Sequence, residues 1–323
     1  TGLQRLFFSD NGSTAVEVAL KIAWQWWRNQ GSERHQVIAF EGAYHGDTFG
    51  AMALGERSLF TDPYEPLLFE VARVTWPHSH WGDEEVEHRE QHALGQLEQA
   101  LETPTAAVIL EPLIQGASGM RVVRPAFLRA VAERVRAAGA LLIADEVFTG
   151  FGRTGNLFAC RWAGIQPDLL ALSKGLTGGF LPMGATMASE RLYQGFISER
   201  PEATFFHGHS FTANPLGCAA ALASLDLLQA NPERFQQFEL RHTPLLEELA
   251  CHQLVRRPRC IGTMAAFDVD AGQASYLNPV GKQIQRHCLE LGVYLRPLGN
   301  VVYLLPPLGI SEDQLQRCYQ SLG

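Results

Sequence analysis

Two short apolar runs limit what this chain can fold into more than any other feature. They are Leu141-Leu142-Ile143-Ala144 and Leu169-Leu170-Ala171-Leu172. A short apolar run bounded by turn residues reads as a strand buried on both faces, as in a parallel sheet. The first run ends in Asp145-Glu146 and the second in Ser173-Lys174. An acid and an amine therefore stand just past the carboxyl ends of two buried strands, the edge at which open α/β sheets bind ligands. Val37-Ile38-Ala39-Phe40 and Thr105-Ala106-Ala107-Val108-Ile109-Leu110 read as further buried strands. Pro125 opens a helix whose apolar positions Phe127, Leu128, Val131 and Val135 recur at helical spacing, and Gly139 ends it. This alternation of strand, helix and strand is the pattern of an α/β fold with a mainly parallel sheet.

A carboxylate and a lysine placed in this way suit pyridoxal phosphate (PLP). That cofactor needs a lysine to link to and an acid opposite its ring nitrogen. The acid keeps the nitrogen protonated, because an opposite charge nearby favours the charged form. A lone Asp or Lys is usually a solvated surface group. Here both follow apolar strands, and Lys174 lies in a Ser-Lys-Gly-Leu-Thr-Gly-Gly turn.

The segments Asp145-Glu146-Val147, Thr149-Gly150-Phe151-Gly152-Arg153-Thr154-Gly155 and Ser173-Lys174-Gly175 resemble the class III, PLP-dependent aminotransferases. The likeness runs over essentially the whole chain. It implies the fold type I architecture of PLP-dependent transferases. Residues 1–227 would form a large PLP-binding domain around a mainly parallel sheet, and residues 228–323 a smaller α+β C-terminal domain. It also implies a further N-terminal family segment, outside these 323 residues, that helps wall the substrate site. Finer features are Tyr44-His45-Gly46-Asp47, His207-Gly208-His209-Ser210 and Arg296-Pro297. They resemble the branch of the family that moves an amino group from S-adenosylmethionine to 8-amino-7-oxononanoate in biotin synthesis. Lysine as donor, or another ω-amino acid as substrate, remains open.

The resemblance assigns roles residue by residue. Lys174, Asp145 and Tyr44 carry the chemistry, with Tyr44 lying flat on the ring as aromatic faces do. Gly12 and Ser13 precede a helical pattern over 14–23 and would meet the cofactor phosphate, since a helix N-terminus offers free N–H groups to an anion. Ser13, with Glu17 nearby, also reads as a plain N-cap. His45 and Gly46 would hold the Tyr44 loop. Glu111, after strand 105–110, would sit near the ring's phenolic oxygen or Asp145. Ser210 would cross a homodimer interface to the partner's phosphate. Asp47, Arg153, Gly208, Arg296 and Tyr303 would join Tyr44 and Lys174 around the substrate, with Arg153 near its amino end. Arg296, on an expected strand over 292–297, would hold the far carboxylate through arginine's planar fork. Tyr303 would line the same wall.

Composition narrows the rest. A net charge of −8 argues against nucleic acid as a partner. No apolar run reaches the roughly 18–20 residues of a membrane span. The six cysteines form no CxxC pair and suit a reducing, cytoplasmic setting. His78 and His80 have no sulfur ligand near them, so no metal is expected. The charge run over 83–90 reads as a solvated helix face. Trp24, Trp26 and Trp27 read as core or dimer contacts. The helix bearing Phe235, Phe238 and Leu246 reads as ordinary packing.

Overall fold

The computed structural model describes residues 1–272 and 276–323. The large sheet is built from β1 (Arg5–Ser9), β2 (Gln36–Phe40), β3 (Ala72–Val74) and β4 (Thr105–Leu110). A short ribbon, β5 (Ile114–Gln115) with β6 (Arg121–Val122), follows. The sheet then takes in β7 (Leu141–Asp145), β8 (Leu169–Leu172) and β9 (Gly184–Ala188). Its order is β1-β9-β8-β7-β4-β2-β3. Strand β9 runs antiparallel to both of its neighbours, and the pairings from β8 across to β3 are all parallel.

Helices cover both faces of this sheet: α1 (Gly12–Asn29), α2 (Phe49–Leu54), α3 (Val86–Leu101), α4 (Pro125–Ala137), α5 (Ala159–Ala163) and α6 (Glu190–Gln194). The period-two alternation of a strand sorts side chains between the two layers. Along β7, Leu141 and Ile143 pack with Ala15, Ala19 and Trp26 of α1, whereas Leu142 and Ala144 pack with Phe127, Leu128 and Val131 of α4. Both faces being apolar is why the strands read as unbroken apolar runs.

Helices α7 (Pro215–Ala230), α8 (Pro232–Gln236) and α9 (Phe238–Ala250) lead to a second sheet, β10 (Val255–Ile261), β11 (Met264–Val269) and β12 (Val301–Leu304), antiparallel in that order. Helices α10 (Val280–Glu290) and α11 (Glu312–Gln320) pack on it, with Leu246, Cys288, Leu315 and Tyr319 in its core. The two sheets are tied by polar contacts. Buried Arg259 donates to the carbonyls of Gly119 and Met120, and Arg153 Nη1 donates to the carbonyl of Pro306 at 2.9 Å.

Four local expectations are corrected. Residues 293–297 form no strand, because Val293 and Leu295 turn into the small core and the Leu295 carbonyl accepts from Gln285 rather than from a neighbouring strand. The run over 83–90 is only partly solvated. Helix α3 starts at Val86, Glu90 is buried against Arg124 at 2.6 Å, and Asp83 pairs with Arg89. The single helix expected around Phe235 and Phe238 is two, α8 and α9, separated at Gln237. Helix α1 starts two residues before the expected Thr14, with Asn11 as its N-cap and Thr14 closing the capping box. Among the tryptophans, Trp26 is buried, Trp24 packs on Phe69, and Trp27 donates to the Ala106 carbonyl.

Candidate active site

The carboxyl ends of β1, β2, β4, β7 and β8 deliver Gly12-Ser13, Tyr44-His45, Glu111, Asp145 and Lys174 to one edge of the sheet. Asp145 is the register partner of Ala171, so Lys174 lies only three residues beyond that pair on the adjacent strand. Asp145 is buried. Its Oδ2 lies 2.7 Å from His45 Nδ1, and its Oδ1 accepts from the Val147 N–H at 3.0 Å. A carboxylate has about four acceptor positions, so room remains for one more donor.

Lys174 contrasts with this. It is exposed, and its Nζ makes no hydrogen bond or ion pair among the described residues. The nearest recorded partner is the Phe148 ring, 5.6 Å away. Its backbone sits at φ 44°, in the left-handed region that L residues avoid. Such strain persists where surrounding structure imposes it. Gly175 shows the imposition, because a Cβ there would meet Phe151 Cβ at 2.7 Å.

The Tyr44 loop is pinned from below. Glu111 is fully buried; its Oε1 accepts from the Tyr44 N–H at 3.1 Å and its Oε2 from the Gly116 N–H at 3.2 Å. Burial pushes its carboxyl up to about 7. Glu111 thus acts on the loops, and no bond to Asp145 is present. Tyr44 keeps 44% of its surface exposed, and its hydroxyl donates to Asp47 Oδ2 at 2.9 Å. Partial burial, then this bond, pushes its phenol up to about 12. The Asp47 N–H donates to Ser13 Oγ at 3.1 Å, joining the loop to the start of α1. Gly46 permits that contact, since a Cβ at φ 128° would run into Ser13 Oγ. The N-cap is Asn11, so Ser13 is released from capping, and Gly12 and Ser13 stand in the first turn of α1, where backbone N–H groups have no acceptor within the helix.

Leu298 and Val301 exchange backbone bonds of 2.9 and 3.1 Å around a two-residue turn that lies between Arg296 and Tyr303 in the chain. Arg296 is exposed, with no hydrogen bond or ion pair among the described residues, and half-buried Tyr303 packs against the large core. Arg153 is half-buried and donates to the Pro306 carbonyl at 2.9 Å and to Thr263 Oγ1 at 3.3 Å. Gly208 and Ser210 are exposed. Their loop is tied to its own chain through His209 Nδ1 to Asp10 at 2.9 Å and His207 Nδ1 to Lys21 at 2.9 Å. Sequence reasoning missed Phe148, which lies below Lys174 and against Gly116. It also missed Glu146, which is buried and accepts from the Ala159 and Cys160 N–H groups, both at 2.8 Å. Burial pushes Glu146 up to about 7.

A free strand-end amine, a buried acid with an open acceptor position, and an unfilled helix N-terminus on one sheet edge fit PLP. The buried His45 Nε2, which has no partner, lies behind the acid. This is the site of a PLP-dependent aminotransferase, and the chain belongs to the class-III aminotransferases, whose family model matches residues 1–323. It is 57% identical over 322 residues to the adenosylmethionine-8-amino-7-oxononanoate aminotransferase of Synechococcus elongatus, covering 99% of this chain and 76% of that one. A protein of the same name from Geobacter sulfurreducens is 41% identical over 97% of this chain and 73% of its own. Among solved structures, the Methanocaldococcus jannaschii enzyme of that name superposes with TM-score 0.89 at 33% identity, over 99% of this chain and 75% of that one. A PLP-bound amine transaminase from an uncultivated Pseudomonas species gives TM-score 0.91 at 31% identity, over 99% of this chain and 76% of that one.

Proposed function

We propose that this enzyme transfers an amino group from S-adenosylmethionine to the ketone of 8-amino-7-oxononanoate, giving 7,8-diaminononanoate for biotin. The observation that carries the reading is the identity of 57% over nearly the whole chain to a relative bearing that name. The exposed guanidinium of Arg296, with no ion pair among the described residues, supports it, because the acceptor ends in a carboxylate that a planar fork can grip.

PLP, when bound, supplies an electron sink that lets the donor carbon release a proton. Lys174 would hold it through Nζ, Gly12 and Ser13 would take its phosphate, and Tyr44 would cover its ring. Asp145, oriented by His45, would set a negative charge toward the ring nitrogen. Lys174 Nζ, when not holding the cofactor, would serve as the base and acid that moves the proton of the reacting carbon, for donor and acceptor alike. Arg296 fixes the acceptor's far end, so that its ketone lies within reach of Lys174. Asp47, bonded to the Tyr44 hydroxyl, shapes the pocket wall.

The same proposal divides the chain into a large domain over 1–227 and a small one over 228–323, with α7 spanning the boundary. It also takes the working unit to be a homodimer. Helix α7 supports this: it is apolar, yet buries only Gly217 and Ala221 and leaves Leu216, Leu222 and Leu227 exposed. Across that interface Gly208 and Ser210 would reach the partner's site. A cytoplasmic setting belongs to the reading, in keeping with six unpaired cysteines.

The test incubates the full-length protein with S-adenosylmethionine or with lysine, follows the absorbance of the bound cofactor, and then adds 8-amino-7-oxononanoate and weighs the product by mass spectrometry. A spectral change with S-adenosylmethionine and a product of the diamine's mass are expected. No change with either donor would remove the assignment.

A further inference from the structure

One loop stands between the Tyr44 loop and the small sheet. It covers 115–120 and carries the chain from β5 to β6. Toward Tyr44, Gln115 Nε2 donates to the Glu41 carbonyl at 2.9 Å and Ser118 Oγ donates to the Gly42 carbonyl. The Gly116 N–H meets the same Glu111 that holds the Tyr44 N–H. Toward the small sheet the loop meets Arg259. That guanidinium is buried, and each of its nitrogens is engaged. Nε donates to the Met120 carbonyl at 2.8 Å, Nη2 to the Gly119 carbonyl at 2.6 Å, and Nη1 to the Arg257 carbonyl at 2.7 Å. Asp268 of β11 balances the charge, with Oδ1 2.9 Å from Nη2. The register of β10 shifts between Arg256 and Arg259, with Arg257 at φ 50°, and such a bulge re-aims a side chain. Gly119 and Met120 take left-handed backbone too, at φ 95° and 56°, and present adjacent carbonyls to one planar fork. Gly119 also lies against Val301, since a Cβ there would stand 3.2 Å from Val301 Cγ2. Val301 pairs in register with Asp268 and closes the turn with Leu298, two residues after Arg296. Hydrogen bonds and packing thus run unbroken from the Tyr44 loop, through 115–120, to Arg259 and to the turn that follows Arg296.

We infer that Arg259 is a positioning residue for acceptor recognition, a reading that rests on Arg296 holding the acceptor's carboxylate. Its nitrogens are all spent within the protein, so it acts through Arg296 and not on the substrate. It fixes where the small sheet, and with it the turn after Arg296, stands relative to Tyr44. A buried cation parted from its carbonyls would be left uncompensated, which is strongly unfavourable, so the two sheets do not slip past each other cheaply. A lysine would hold them less firmly, because an ammonium is a point charge and lacks the fixed fork that spans two carbonyls.

Arg259→Met and Arg259→Lys are made in the full-length protein, each alone and together with Arg296→Ala. Arg259→Met should raise the KM for 8-amino-7-oxononanoate about tenfold, through partial loss of the charge-assisted contact at Arg296. With Arg296 already replaced, the same change should add less than about twofold, because two residues acting on one contact are not additive. PLP affinity, titrated by fluorescence on the cofactor-free protein, should match the wild type. Arg259→Lys should fall between wild type and Arg259→Met, and it decides the matter if the methionine variant does not fold. An unchanged KM, equal increases in both backgrounds, or a parallel fall in PLP affinity overturns the inference. If Arg296→Ala alone leaves the KM unchanged, the role given to Arg296 fails first and this inference with it.

Discussion

Nδ1 of His45 lies 2.7 Å from Oδ2 of Asp145, and both side chains are shut off from solvent. Nε2 of the same imidazole is buried with no partner. A carboxylate oxygen only accepts, so Nδ1 is the donor of this bond and fixes the aim of Asp145.

His45→Phe removes that donor while preserving a flat ring. Losing a hydrogen bond to a charged group is worth about 1.5–3 kcal/mol. Cofactor affinity should fall at least about tenfold, read by titrating the cofactor-free protein with PLP and following its fluorescence. His45→Asn, which retains a donor, should lose less.

Lys174 holds the left-handed backbone region at φ 44°. Lys174→Ala and Lys174→Gly should both abolish turnover. They should differ in stability, with the glycine variant higher by about 1 kcal/mol in cofactor-free denaturant unfolding, because glycine adopts this conformation without strain.

Glu111 is expected to leave a mark on stability against pH. Burial raises its folded value from 4.5 to about 7, so folding favours the protonated carboxyl. The stabilisation is complete below about 4.5 and is lost as pH rises to about 7, a change of up to about 3 kcal/mol. Glu111→Gln should be less stable than wild type at pH 4, because it gives up one of two backbone N–H partners. The gap should narrow through this window, as melting temperatures across pH would record.

Arg296→Ala should raise the acceptor's KM between about ten- and a hundredfold, the loss of a charge-assisted bond. Lysine at this position should restore only part, because a point charge cannot make the two-pronged contact. Steady-state kinetics with varied 8-amino-7-oxononanoate separates the two.

Leu222→Asp places a charge on the exposed apolar face of α7. Light scattering should show the wild type as a dimer and the variant shifted towards monomer, with secondary structure by circular dichroism unchanged.

The central strands were legible because a strand buried on both faces must be apolar throughout. Asp145 and Lys174 stood out because each breaks such a run at its carboxyl end. Other features depended on distant partners. Glu90 reads as solvent-facing until Arg124, far along the chain, is seen to close over it. Asn11, Gly12 and Ser13 are all plausible caps, and local pattern does not choose among them. The packing of α1 against the sheet settles that Asn11 is the one. Val293 and Leu295 alternate like a strand, but both side chains are buried in the core of the small sheet and the Leu295 carbonyl is taken by Gln285. Phe148 carries no signal beyond its hydrophobicity, since its place below Lys174 depends on the close approach of Gly116.

The capping of α1 by Asn11 and Thr14, and its burial along the large sheet, make the Gly12-Ser13 end of the site a fixed jaw. Arg296 precedes the turn that leads into β12 of the other sheet. On the proposed reading the enzyme would gauge the length of its substrate as a caliper does, by the span between two separately mounted jaws. Evolution can then retune chain-length preference by resetting that span, without touching the lysine or the acid that perform the chemistry.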